Sequence, residues 1–190
     1  GCSVKDTGEA PVWAGELPPV PIEVALEVGR LRRSAANAIG VMDARKGDID
    51  FENYPLSEVA RADLLNAVAE HIDATEKLPT DTTLTIESRD NAVVLNTCRG
   101  SKINETLAHF IQAMGSMREG KMGTTLIDPY RIAFQVPGTT AAHVIEWLTT
   151  TSPDALEAVL RMTIPNGRAL RWRMVQVARK MGVLQKAADP

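Results

Sequence analysis

The residues from Asp90 to Val136 constrain this chain more than any other stretch, because they read as strand, turn, helix, turn, strand without a gap. AVVLNTCRG opens as an apolar, β-branched run and predicts a buried strand. GSKINETLAHFIQAMGSM follows, and Ile103, Leu107, Phe110, Ile111 and Met114 recur at helical spacing. TTLIDPYRIAFQV returns to strand character on both sides of Asp128-Pro129. Proline has no N–H for a sheet ladder, so this dipeptide marks a bend or an edge. The rest of the chain is expected to pack around this unit.

Upstream, Pro21 opens a helix predicted over Ile22–Ala38, with Gly40 as its stop. Arg30, Arg32 and Arg33 fall late in it, where cations suit the helix dipole. Residues 41–54, with RKGDID, read as a solvated loop. Ser57 is the N-cap candidate of the next helix, which presents Leu64, Leu65, Val68 and Ile72 on one face and ends near Lys77. TTLTIES then predicts a strand that forms a hairpin with AVVLN through Arg89-Asp90-Asn91. Downstream, Thr139 or Thr140 caps a helix over Ala141–Leu148. Ser152 starts another, with Leu156, Val159, Leu160 and Met162 expected inside. Pro165-Asn166-Gly167 breaks it, and a last helix runs from Arg168 to about Met181, closed by Gly182. Helices dominate and the strands cluster, so the expected class is α+β, with helices around a mainly antiparallel sheet between residues 82 and 136. One domain is expected, mostly helical over 1–80 and sheet-plus-helices over 81–190.

The composition excludes several classes of function. Two cysteines, Cys2 and Cys98, make neither a disulfide framework nor a metal set, and Cys98 in an apolar strand reads as a buried, inert thiol. A reducing, cytoplasmic compartment is expected. There is no apolar run of membrane-spanning length and no basic-then-apolar leader pattern. His71, His109 and His143 lack metal-ligand spacing and read as ordinary helix residues. GSMREGKMG offers glycine and lysine but no Ser or Thr after the lysine, so it reads as a helix-ending loop and not a phosphate-cradling one. With no acid pair to hold magnesium either, this polypeptide alone is not expected to hydrolyse ATP, and no catalytic residue is assigned.

A net charge of −3 argues against a free-standing, tight nucleic-acid binder but leaves room for a local basic stripe. The last helix supplies one. No acid lies between Arg168 and Lys180. At ~100° per residue, Leu170, Met174, Val177, Ala178 and Met181 form an apolar side. Arg168, Trp172 and Arg179 fall opposite it, Arg171 beside them, and Arg173 and Lys180 further round. Cations would meet phosphates and the indole would stack on a base. The same pattern also fits a solvated basic face with Trp172 packed on a neighbouring helix. Arg99 and Lys102 flank Gly100 just before a helix N-terminus, a geometry that favours anions. The alternative is that Asn104 and Glu105 cap and fix that turn, and a structural role is favoured for Asn104. Arg131 is expected to form a structural pair with Asp128 or a nearby carboxylate. Trp13, before Ala-Gly-Glu, suits either stacking on an unpaired base or anchoring the N-terminal segment.

VVLNTCRGSKINETL followed by DPYRIAF resembles the C-terminal accessory region of archaeal large helicase-related (Lhr) proteins, which are superfamily 2 helicases. VWAGELPPVPIEVALEVGRLRR is similar to the opening of that region, ENYPLSEVARADLLNAVAEHIDATEKLPTD to its central helix, and RALRWRMVQVARKMGVL to a helix near its end. The likeness covers nearly the whole chain in matching order. Leu17-Pro18-Pro19 departs from it, and any extension past Leu184 is expected to be absent. The resemblance implies a part of an ATP-driven 3′-to-5′ motor that guides single-stranded DNA or RNA. ATP and magnesium would belong to separate RecA-like lobes, and those lobes and a winged-helix domain would be its protein partners. It also matches Trp13 to a Trp-x-Gly-Glu motif and so favours Trp13 as a stacking residue. The alternative is a domain that only docks on the helicase core or on a protein partner.

Overall fold

The structure is a computed structural model that describes residues 18–42, 50–89, 92–120, 123–166 and 168–183. Trp13, residues 43–49 of the expected 41–54 loop, the Asp90-Asn91 turn and Gly167 lie outside the described residues. Six α-helices and four strands follow the order α1 (Ile22–Ala38), α2 (Glu58–Thr75), β1 (Thr85–Arg89), β2 (Ala92–Asn96), α3 (Ser101–Glu119), β3 (Thr124–Ile127), β4 (Arg131–Gln135), α4 (Ala141–Thr150), α5 (Pro153–Thr163) and α6 (Arg168–Lys180). The class is α+β, as the sequence predicts.

Alternation along the strands builds the main core. The sheet order is β1-β2-β4-β3 and every pairing is antiparallel, with Val93 opposite Phe134 and Leu95 opposite Ile132. These four side chains share one face, because successive residues of a strand point to opposite sides. They pack with Ala108, Phe110 and Ile111 of α3 and with Val144 and Trp147 of α4. Phe110, Leu95 and Ile132 are fully buried, and each such side chain stabilises the fold by ~1.5–3 kcal/mol. Asp128-Pro129 is the bend between β3 and β4. Asp128 Oδ1 accepts from the backbone N–H groups of Tyr130 (2.8 Å) and Arg131 (2.9 Å), which closes the turn.

A second cluster joins Ala35 and Ala36 of α1, Phe51 of a short 3-10 turn, Val68 of α2 and Leu78. Ser57 caps α2 as expected, its hydroxyl accepting from Ala60 N. Thr140 and Ser152 cap α4 and α5.

Three expectations are corrected. Arg30, Arg32 and Arg33 precede the last turn of α1, which holds no basic residue, so they do not serve its dipole. Arg33 is instead buried against Asp81 at 3.1 Å, and Arg30 pairs with Glu27. Met162 is exposed, because the inward side of α5 is carried by Leu156, Val159 and Leu160. GSMREGKMG is not all loop: α3 continues to Glu119, and Gly120 at φ 66° ends it. Gly115 stays helical for a packing reason, since a Cβ there would lie 2.8 Å from Val136 Cγ1.

Candidate nucleic-acid interface

The turn between β2 and α3 is the best-tied element outside the two cores. Cys98 and Gly100 both take positive φ, at 49° and 85°, which reverses the chain in a few residues. Gly100 is needed there: its N–H donates to Pro129 O at 2.8 Å, and a Cβ would lie 2.7 Å from Val20 O. The buried Thr97 hydroxyl donates to Asn104 Oδ1 (2.6 Å), and Asn104 Nδ2 donates to Asp128 O (2.7 Å). Thr97 N donates to Tyr130 O at 2.8 Å. Asn104 therefore has the structural role the sequence suggested, locking this turn to the β3–β4 bend. Glu105, exposed, makes none of these bonds. Ser101 ties the same turn to the N-terminal segment, with its N–H donating to Val20 O and its hydroxyl accepting from Val20 N. Arg131 and Asp128 form the expected pair, Nε to Oδ2 at 2.7 Å.

Cys98 is fully buried beneath this turn, and burial pushes its thiol above the usual value, against the nearby Arg32 and Arg99 that would favour the thiolate. It is thus a neutral packing residue, as the apolar strand implied.

Arg99 and Lys102 do come together. Both line a groove with Pro19, Pro21, Glu23 and Ile103. Their roles differ. Arg99 is half-buried and its guanidinium donates to Asp81 O at 2.7 Å, so one of its donors holds the 79–81 loop in place. Lys102 is exposed on the first turn of α3 and extends from the groove toward solvent. The sequence reading treated the two as equivalent. The partner that separates them, a backbone carbonyl far along the chain, leaves no trace in local composition.

On α6 the two sides are not sorted by burial. Most of the apolar side is exposed: Met174 is 60% exposed and Met181 75%, and Leu170 and Val177 are exposed too. The less exposed positions are Val175, Gln176, Ala178 and Arg179, and the Arg179 Nε is shielded from solvent. Arg171, Arg173 and Lys180 are exposed. Arg168 and Trp172 lie on α6, with side chains outside the described residues. Among the described residues, α6 contacts the Ile164–Asn166 3-10 turn and contributes nothing to either core cluster, which leaves its methionines exposed. Arg173 and Lys180 are therefore exposed on one side of α6, Arg171 is exposed roughly opposite them at ~100° per residue, and Lys102 is a separate exposed cation.

Among the described residues, no cluster of three or more His, Cys, Asp or Glu side chains is arranged to hold a metal, and no helix is long and apolar enough to cross a membrane.

The DEAD/H associated family model matches residues 78–190, more than half of the chain. No curated protein matches it. The solved structure of Mycobacterium smegmatis helicase Lhr bound to ssDNA and AMP-PNP shares the fold, with a TM-score of 0.60 over 84% of this chain at 21% identity. The match covers 21% of that chain, so this polypeptide corresponds to about a fifth of the helicase's length.

Proposed function

The chain belongs to the DEAD/H associated family, and from that premise we propose that it is an accessory domain of a superfamily 2 helicase that grips single-stranded nucleic acid. Separate RecA-like lobes hydrolyse ATP with magnesium and step along the strand, and a winged-helix domain adjoins. The observation that supports this most is charge segregation. A chain of net charge −3 carries one helix, α6, whose thirteen residues include five cations and no acid. Such a stripe attracts phosphates locally without making the whole chain a polyanion trap. Lys102 at the start of α3 adds a second cationic contact, and Trp13 and Trp172 supply stacking surfaces.

A second reading has its own observation. The outward methionines and aliphatics of α6 are an apolar strip beside the cations, as a surface that docks on a protein would be. In that reading the cations meet acidic side chains of the helicase core.

Titration of the chain with fluorescent single-stranded DNA and RNA at low salt separates the two. Gripping predicts weak, salt-dependent binding. It also predicts a loss of roughly 5- to 150-fold in Trp13→Ala or Trp172→Ala, the equivalent of ~1–3 kcal/mol per stacked base. Unchanged binding in both variants removes stacking from the account, and absence of binding at any salt leaves docking as the function.

A further inference from the structure

A cleft of about 440 Å³ opens between α2 and the end of the sheet where β2 and β4 lie side by side, away from α6 and from Lys102. Its volume falls in the range of ordinary small-ligand pockets, about 300–1,000 Å³. Its two walls differ in chemistry. Leu64 and Val68 of α2 give an apolar wall. Arg32, Asn96, Tyr130 and Arg131 face them across the cleft, and His71 joins them with an Nε2 that is buried and has no hydrogen-bond partner.

Arg32 is the unusual member. Its guanidinium is half-buried, sits 5.8 Å from the centre of the Tyr130 ring, and donates to Cys98 Sγ at 3.2 Å. A neutral thiol and a ring face do not neutralise a cation, and no described carboxylate lies within ion-pair distance of Arg32. Its neighbours make the contrast clear: Arg33 has Asp81, Arg30 has Glu27 and Arg131 has Asp128. The one carboxylate on the cleft wall, Asp128, is already committed to Arg131 and to two backbone N–H groups. A partly desolvated cation without a counter-charge is costly unless an anion completes it.

We propose that this cleft binds a phosphorylated nucleoside unit, with the phosphoryl group on Arg32 and the nucleoside against Leu64 and Val68. An anion alone would not need the apolar wall, and an apolar ligand alone would leave Arg32 uncompensated. The unit has two possible sources, a nucleotide of a bound strand or a free nucleotide. The inference does not rest on strand binding by α6.

The test uses the 190-residue chain with three probes by calorimetry: adenosine 5′-monophosphate, adenosine, and a single-stranded oligothymidine. Two variants empty or fill the cleft. Arg32→Gln removes the cation, and Ala67→Phe, at an exposed α2 position on the cleft wall, fills it without touching either core. Thermal melts verify that both are folded. A free-nucleotide site shows adenosine monophosphate binding that adenosine does not match and that falls at least tenfold in both variants. A strand-unit site shows oligothymidine affinity falling at least tenfold in both, with little monophosphate binding. The α6 variant Arg171→Ala/Arg173→Ala leaves monophosphate binding unchanged in either case, so failure of the strand reading is seen separately. The proposal is overturned if wild type binds neither phosphorylated probe, or if folded Ala67→Phe binds both as wild type does.

Discussion

The β2–α3 turn and the α6 helix carry the same kind of residues, cations near small or apolar neighbours, and the fold treats them in opposite ways. Around the turn, nearly every polar group is engaged by another part of the same chain: Thr97 and Asn104 with the β3–β4 bend, Arg99 with Asp81, Ser101 with Val20. On α6 the apolar side faces outward and three cations are exposed. One region is tied within the chain and the other is left exposed among the described residues. The lesson is that the surface proposed to bind is where an amphipathic helix keeps its apolar side exposed.

That contrast can be broken by mutation. The largest effect is expected at Asp81, whose carboxylate faces buried Arg33. Asp81→Ala removes one side of a buried ion pair and should cost ~3–5 kcal/mol in denaturant unfolding. A loss under 1 kcal/mol would mean the 79–81 loop does not brace this region. Asn104→Ala comes next. It strips a fully buried amide from two partners and should cost about 1–3 kcal/mol, read as a lowered melting temperature. On α6, Met174→Ala is expected to stay within about 0.5 kcal/mol of wild type, as surface changes do. A cost of ~2–5 kcal/mol, the range for a buried methionine, would show that α6 is packed into a core in solution.

The sequence carried much of this fold, for identifiable reasons. The limits of α1, the Ser57 and Ser152 caps, and the β1–β2 pairing follow from punctuation that acts within a few residues: Pro21, Gly40, Ser-x-x motifs and alternating apolar residues. Asn104 was legible because a buried-looking amide just inside a helix has few uses other than holding a turn. Arg33 was not, since three arginines in four residues look alike until a distant loop selects one of them. Gly29 shows the same limit: a Cβ there would meet Asp81 N at 2.3 Å, and nothing local in α1 says so. The exposure of the apolar side of α6 was not legible for a related reason. Helical periodicity gives two sides, and only the presence or absence of a core beside the helix decides which one turns inward.

Salt dependence of single-strand binding tests the central claim most directly, because it counts phosphate contacts. Affinity of the chain for oligothymidine should fall linearly with salt on logarithmic axes. Replacing Arg171, Arg173 and Lys180 by alanine should flatten that slope by about 2, at ~0.7 per phosphate contact on a single strand. A slope that stays as steep in the triple variant would contradict the claim that α6 grips the strand.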